Sequence, residues 1–346
     1  MKKSLLALAV LSAFAGIASA QSSITISGII DEGVAKGNGG TAVNNGALGT
    51  SKAYQVRDGG PGSRLVFRGN EDMGGGLSAQ FFLDHRFQPD SGNVGTPAAA
   101  STTFWGGNSW VQLTSAQAGS VYLGRNYAPA FWVNLKTDPF GYGGIAQVGS
   151  KGWAGYTGPG GVRYANTVGY KTPNLGGFTS NAGVGLGEGA TGREQGINAE
   201  YTAGPIYVGL AYDKISAGAA SSAAAPSGDG ASLINIGAAY DFKFIRPMAY
   251  FGRSKTGLGN SSTNKYAHVA LTAPVGPGVV KALYSRLSPQ GTVTGVQTAG
   301  QKQTKIGVGY DYFFSKRTRV YAEGSQGKED NRTNNNALAL GLRHEF

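Results

Sequence analysis

The chain has 346 residues, among them 58 glycines, 17 tyrosines and 15 phenylalanines, with only 14% charged residues, a formal charge of +11 and no cysteine. This excludes a disulfide scaffold, and beyond the N-terminus no apolar run approaches the roughly 20 residues that a membrane helix needs. The basic excess reads either as a solvated surface or as a face or lumen that handles anions; charge alone is too little to suggest nucleic-acid binding, so no nucleic acid is expected as a partner.

Residues 1–20 have the three parts of a secretory signal peptide. Lys2 and Lys3 precede an apolar run from Leu5 to Ile17, and Ala18-Ser19-Ala20 forms an A-x-A cleavage site. The expected mature chain, 21–346, is exported and starts at Gln21.

Its first strand is SSITISGIID, with Ile24, Ile26, Gly28 and Ile30 on one face and Thr25, Ser27 and Asp31 on the other. A Gly/Asn/Ala-rich connection from Lys36 to Pro61 follows. SRLVFRG then sets Leu65 and Phe67 against Arg64 and Arg68, and LSAQFFLD sets Leu77, Ala79, Phe81 and Leu83 against Ser78, Gln80 and Asp84. A strand from Phe104 to Thr114 and the strand GSVYLGR repeat the layout.

Between Tyr127 and Val162 neither a period of two nor one of 3.6 is found. A connection this long is usually functional or disordered, and Phe131, Trp132, Phe140, Tyr142, Trp153 and Tyr156 argue against disorder. After it, RYANTVGYK, FTSNAGVGL, GINAEYTA, IYVGLAYDK, SLINIGAAYD, FIRPMAYFGR, KYAHVALTA, VVKALYSRL, TKIGVGYDYFF, TRVYAEGSQ and ALALGLRHEF read as strands.

The total is about sixteen strands, each about 10 residues long, with short turns alternating with long polar loops. Tyr310, Tyr312, Phe313, Phe314 and Phe346 stand near strand ends, where interfacial girdles lie. An exported, cysteine-free chain of this pattern fits a closed transmembrane β-barrel, all-β and antiparallel, since closure satisfies every backbone group in lipid. The last strand agrees, with Leu338, Leu340, Leu342, His344 and Phe346 outward and Ala337, Ala339, Gly341, Arg343 and Glu345 inward.

SSITISGIID, SRLVFRGNEDMGGGLSAQFFLD, VYLGRNYAP, RYANTVGYKTPNLGGF and the terminal GLRHEF, in this order, resemble a Gram-negative general porin of the β-proteobacterial type, over essentially the whole chain. The resemblance implies a sixteen-stranded barrel, a homotrimer in outer-membrane lipid and lipopolysaccharide, and a third external loop, here 127–162, folded into the pore as a constriction. It also implies that the terminal Phe346 is an assembly signal.

The expected constriction set is Arg64, Arg68, Arg125 and Arg163 on the wall, with Asp138 and Lys136 on the loop. Arg64 and Arg163 match the wall arginines of the family, and Asp138 is the clearest loop acid to lie across from them. Gly107-Asn108 stands where strongly anion-selective relatives carry a further arginine, a departure from their pattern. Asp31, Asp84, Lys281, Lys305 and Arg319 are expected to line the lumen. Fixed cations in a narrow eyelet favour anions; alternatively, inward arginines balance Asp31, Asp84, Asp311 and Glu323. The loop aromatics either pack the loop to the wall or reach the lumen at Trp132, Phe140 or Trp153.

Of the three histidines, His85 and His344 fall on the outer face and His268 faces inward alone, without the partner a hydrolase base requires. No metal-ligand spacing and no cofactor motif is present. The expectation is a passive pore for small anionic or neutral solutes, without cofactor or turnover. The alternatives are a channel specific for organic anions and an outer-membrane barrel hydrolase.

Overall fold

The computed structural model describes residues 22–42, 50–59, 62–96, 99–100, 103–148, 161–188, 192–216, 230–256, 262–290 and 302–346. The signal segment 1–20 and the loop aromatics Trp153 and Tyr156 lie outside them.

Among the described residues one antiparallel sheet of 17 strands closes on itself. One of these is the four-residue strip Tyr54–Arg57, which pairs beside the first strand; the other sixteen are the staves of the barrel. They are β1 (Ser23–Gly37), β2 (Ser63–Gly74), β3 (Leu77–Phe87), β4 (Ser109–Ser115), β5 (Gly119–Tyr127) and β6 (Arg163–Lys171). Next come β7 (Phe178–Gly185), β8 (Glu194–Ala203), β9 (Ile206–Ile215), β10 (Ser232–Tyr240) and β11 (Arg246–Thr256). The circuit ends with β12 (Ser262–Val275), β13 (Gly278–Gln290), β14 (Gln303–Phe313), β15 (Thr318–Glu329) and β16 (Asn335–Glu345).

Closure rests on β1, which pairs with β2 through its first half and with β16 through its second, from Ile29↔Glu345 to Gly37↔Ala337. Phe346 and Gly28 exchange both backbone hydrogen bonds, at 3.1 and 3.0 Å, so the last residue of the chain seals the seam.

Connections 75–76, 116–118, 172–177, 204–205, 241–245, 276–277 and 314–317 are short and lie at one end, and the long ones lie at the other. Two of the tightest are Gly-Pro pairs. Gly204 and Gly276 have φ of +53° and +58°, which fits the first central position of a type II′ turn, while proline supplies the negative φ that follows.

The alternation of period two holds around the circuit. On β9, Ile206, Val208, Leu210 and Tyr212 are exposed to the outside while Tyr207, Ala211 and Asp213 are buried inside. Tyr240, Phe242 and Phe244 cluster outward at the short-turn end, as do Tyr312 and Phe314. Phe313 departs from the expected girdle: it shares parity with the inward Asp311, and the Arg319 guanidinium lies 5.6 Å from its ring centroid.

The structure corrects three boundaries. β1 runs on to Gly37, and the expected loop 36–61 contains the strip Tyr54–Arg57, because the pairing row of β1 beyond Gly33 needs a partner on that side. The fourth strand begins at Ser109, well after Phe104. Phe104 sits in a turn, stacked on His85 at 4.1 Å, and Gly107 passes so close to Asp84 that a Cβ there would meet its carboxyl carbon at 2.1 Å.

Candidate functional site

The segment after β5 turns into the barrel. Pro129 opens the helix α1 (Pro129–Leu135), where its missing N–H and fixed φ suit the first turn. This short helix was not legible as a period. It is anchored by inward polar residues of the wall: Asp213 Oδ1 accepts from the Ala130 N–H (3.1 Å), and the amides of Asn198 and Asn235 donate to the carbonyls of Pro129 and Ala130. Farther on, Glu323 accepts from the N–H groups of Ile145 and Ala146, and His268 Nε2 contacts the Thr137 carbonyl at 3.1 Å.

The principal apolar cluster is therefore inside out. Ala130, Val133, Phe140, Ala146 and Val148 of the segment pack on Tyr207, Leu233, Met248, Tyr250, Tyr266 and Leu283 of the inner wall. Ile145 reaches Ala35, Ala337 and Ala339, so the described part of the segment follows the wall round from β8 to β16 and β1. Gly307 of β14 makes room for it, since a Cβ there would meet the Ala146 carbonyl oxygen at 2.3 Å.

Asp138 is not the acid that faces the arginines. It is buried in the segment itself, where its carboxylate accepts from the N–H groups of Phe140 (2.9 Å), Tyr142 (3.0 Å) and Val148 (3.3 Å). Burial pushes this carboxyl above its ordinary value against the pull of those donors. Lys136 is engaged too, 2.9 Å from Glu200 and above the Tyr207 ring. Of the loop aromatics, Phe131 and Phe140 are buried, and Trp132 stays half-buried, edge-on to Tyr127 at 5.0 Å.

Across from this segment lies a basic wall. Arg163 Nε donates to Asn108 Oδ1 (2.9 Å) and Nη2 to Tyr127 Oη (2.9 Å), and its guanidinium stacks 4.3 Å over the Tyr127 ring. Arg64 and Arg86 act on the same phenol, and Arg86 closes an ion pair of 2.7 Å with Asp84. Three guanidiniums thus stand near one carboxylate, and Arg86 is the one in contact with it. The pairing of β5 with β6 carries one extra residue on β6, and Asn166 has φ of +51°. Such a bulge re-aims neighbouring side chains at the root of the segment.

Arg86 was missed by the sequence reading. The signal was present, since it continues the inward row of Gln80 and Asp84 by one more alternation, and the expected strand ends at Asp84, three residues short of Phe87. Arg125 is within electrostatic reach of Arg163 and of Glu194. Arg68 is not part of this group: it lies four residues along β2, about 13 Å at strand spacing, over the Phe82 ring at 4.8 Å.

The remaining lumen residues are mostly balanced. Lys281 and Arg319 both reach Asp311, at 2.8 and 3.3 Å, and Asp31 accepts from Tyr321 Oη and the Gly59 N–H. Lys305 is fully buried near Asp138 and Glu323, with no hydrogen-bond partner for Nζ among the described residues. Bases on the wall that the segment covers are therefore largely offset by acids, whereas on β2 to β6 the basic residues outnumber the acids.

A family model described as Gram-negative porin matches residues 7–332. The chain is similar to outer membrane porin protein 32 of Delftia acidovorans, 35% identical over 337 residues and covering 93% of this chain and 88% of that protein. It is also similar to an outer membrane porin protein of Bordetella pertussis, 30% identical with 100% of each covered. Among solved structures, an anion-selective porin from Comamonas acidovorans superposes with a TM-score of 0.77 at 27% identity, covering 94% of this chain and 100% of that one. The chain belongs to the Gram-negative porin family: it is an outer-membrane barrel that acts as a channel and not as an enzyme.

Proposed function

We propose that this porin is a passive pore for small hydrophilic solutes that prefers anions, with the segment 127–162 narrowing the lumen against the basic wall. The observation that carries the reading is the gathering of Arg64, Arg86 and Arg163 round Tyr127 beside one carboxylate, Asp84, which Arg86 pairs at 2.7 Å. An excess of fixed cations in a confined, partly desolvated passage raises the local anion concentration and repels cations. The likeness to an anion-selective porin supports the same preference. In a planar bilayer under a KCl gradient the purified protein is expected to give a reversal potential of anion sign; a potential of cation sign would overturn the reading.

The working unit is a homotrimer, set in lipid and lipopolysaccharide by the outward apolar rows. Unheated protein is expected to migrate on a gel as a trimer and heated protein as a monomer, and identical migration as a monomer under mild solubilisation would refute this. Phe346, hydrogen-bonded into the seam, serves as the assembly signal.

A further inference from the structure

On the inner wall, away from the arginines at Tyr127, four side chains form a row that the channel reading above does not use. Arg68, Phe82 and Trp110 occupy directly opposed positions on β2, β3 and β4, all facing inward. The Phe82 and Trp110 rings stack with centroids 5.5 Å apart and 13° between planes. Arg68 lies over Phe82 at 4.8 Å, and Lys171 of β6 lies 5.1 Å from the Trp110 centroid and 4.9 Å from that of Tyr122. The order round the wall is cation, ring, ring, cation.

We propose that Arg68, Phe82, Trp110 and Lys171 form a second anion station in the pore, one that takes flat aromatic carboxylates in preference to saturated ones. The proposal rests on the anion preference argued above and adds a solute class to it.

Three features support it. First, both cations are free of competing carboxylates. Neither Arg68 nor Lys171 has an ion pair among the described residues, and Lys171 makes a neutral hydrogen bond to Gln112 Oε1 at 3.1 Å. Their inward neighbours Asn70, Gln80, Gln112, Thr114 and Ser120 are neutral, and the one diagonal acid, Asp84, is taken up by Arg86 at 2.7 Å. The nearest inward acid along β2, Asp72, accepts from the Gly74 N–H in the turn. Lys136, Lys281 and Arg319, on the wall covered by the segment, are all ion-paired.

Second, the faces of the two rings are occupied by each other and by the cations, so a passing solute meets their edges. An aromatic edge carries the positive end of the ring quadrupole, and cations over the outer faces deepen that polarity. An aromatic carboxylate offers what such edges attract: a negative ring face for an edge-to-face contact, and an anionic group for Arg68 or Lys171. A saturated ring of the same size and charge offers only the second.

Third, the row is accessible. Arg68 is exposed, and Phe82, Trp110 and Lys171 are half-buried on the inner face, whereas the loop-packing aromatics Phe131 and Phe140 are buried. A carboxylate leaving the Arg64–Arg163 level meets Arg68 about four strand residues on, roughly 13 Å away.

The test is single-channel recording of the intact porin in KCl, with benzoate or cyclohexanecarboxylate added at matched concentrations. Benzoate is expected to interrupt the current several-fold more strongly than cyclohexanecarboxylate. F82L/W110L is expected to abolish that difference while leaving the KCl reversal potential in place. R68Q, at an exposed position that the fold tolerates, is expected to weaken block by both acids several-fold. Equal block by the two acids in the wild type, a difference that survives F82L/W110L, or block by both acids unchanged in R68Q would overturn the station. A wild-type reversal potential of cation sign would instead overturn the anion preference on which it rests.

Discussion

Exchanging Arg64 and Arg163 together for glutamine is expected to bring the reversal potential under a KCl gradient close to zero. Exchanging Arg86 and Asp84 together, for glutamine and asparagine, is expected to leave it near the wild-type value. The two double variants touch the same few ångströms of wall but differ in net charge. The first lowers the net positive charge of the cluster by two, and the second removes an ion pair of 2.7 Å whose field at the lumen largely cancels. Counter-ion enrichment by such fixed charges runs from about tenfold upward, so the anion-to-cation permeability ratio is expected to fall on the order of tenfold in the first variant. R86Q alone is a poor test. It would strand the buried Asp84 carboxylate, at about 3–5 kcal/mol, and the damage would report stability rather than selectivity. Retention of full anion preference by R64Q/R163Q would place the filter elsewhere on the wall.

The second large effect is expected at Asp138. D138A removes the acceptor for three backbone N–H groups, those of Phe140, Tyr142 and Val148. A buried donor left without a partner costs about 1–3 kcal/mol, so the segment from 138 to 148 loses most of the internal hydrogen bonding that shapes it. The barrel does not depend on those bonds, because its ladders close without the segment. D138A is therefore expected to keep the heat-modifiable migration of a folded barrel while its single-channel current becomes noisy, with several sub-levels in place of one. D138N keeps one carbonyl oxygen and should fall between the two. A quiet channel of wild-type amplitude in D138A would show that Asp138 does not hold the segment in shape.

How far these residues were legible before folding depended on the range of the interaction concerned. Period two reported the barrel and the inward parity of Arg64, Arg68, Lys281, Lys305 and Arg319, because in a closed sheet with lipid outside each strand obeys the same rule independently of its neighbours. It failed at the edges of that rule. The bulge at Asn166, the late start of β4 at Ser109 and the strip Tyr54–Arg57 are choices of register, made between strands rather than within one. Arg86 was overlooked only because the strand was cut short.

The amino-acid sequence by itself thus determined the all-β alternation, the side of the wall on which most charges stand and the aromatic residue that meets the seam. Tertiary structure alone decided which charges remain available. Lys136 carries the same formal charge as Arg68, yet Glu200 from a distant strand takes it up while Arg68 meets only a ring. Asp138 reads as a lumen acid until the segment folds its own N–H groups around it. The physical reason is that strand parity is a local consequence of backbone geometry. The pairing of a charge depends on which strand or loop packs beside it, and the closure of the barrel and the path of the segment along its inner wall set that.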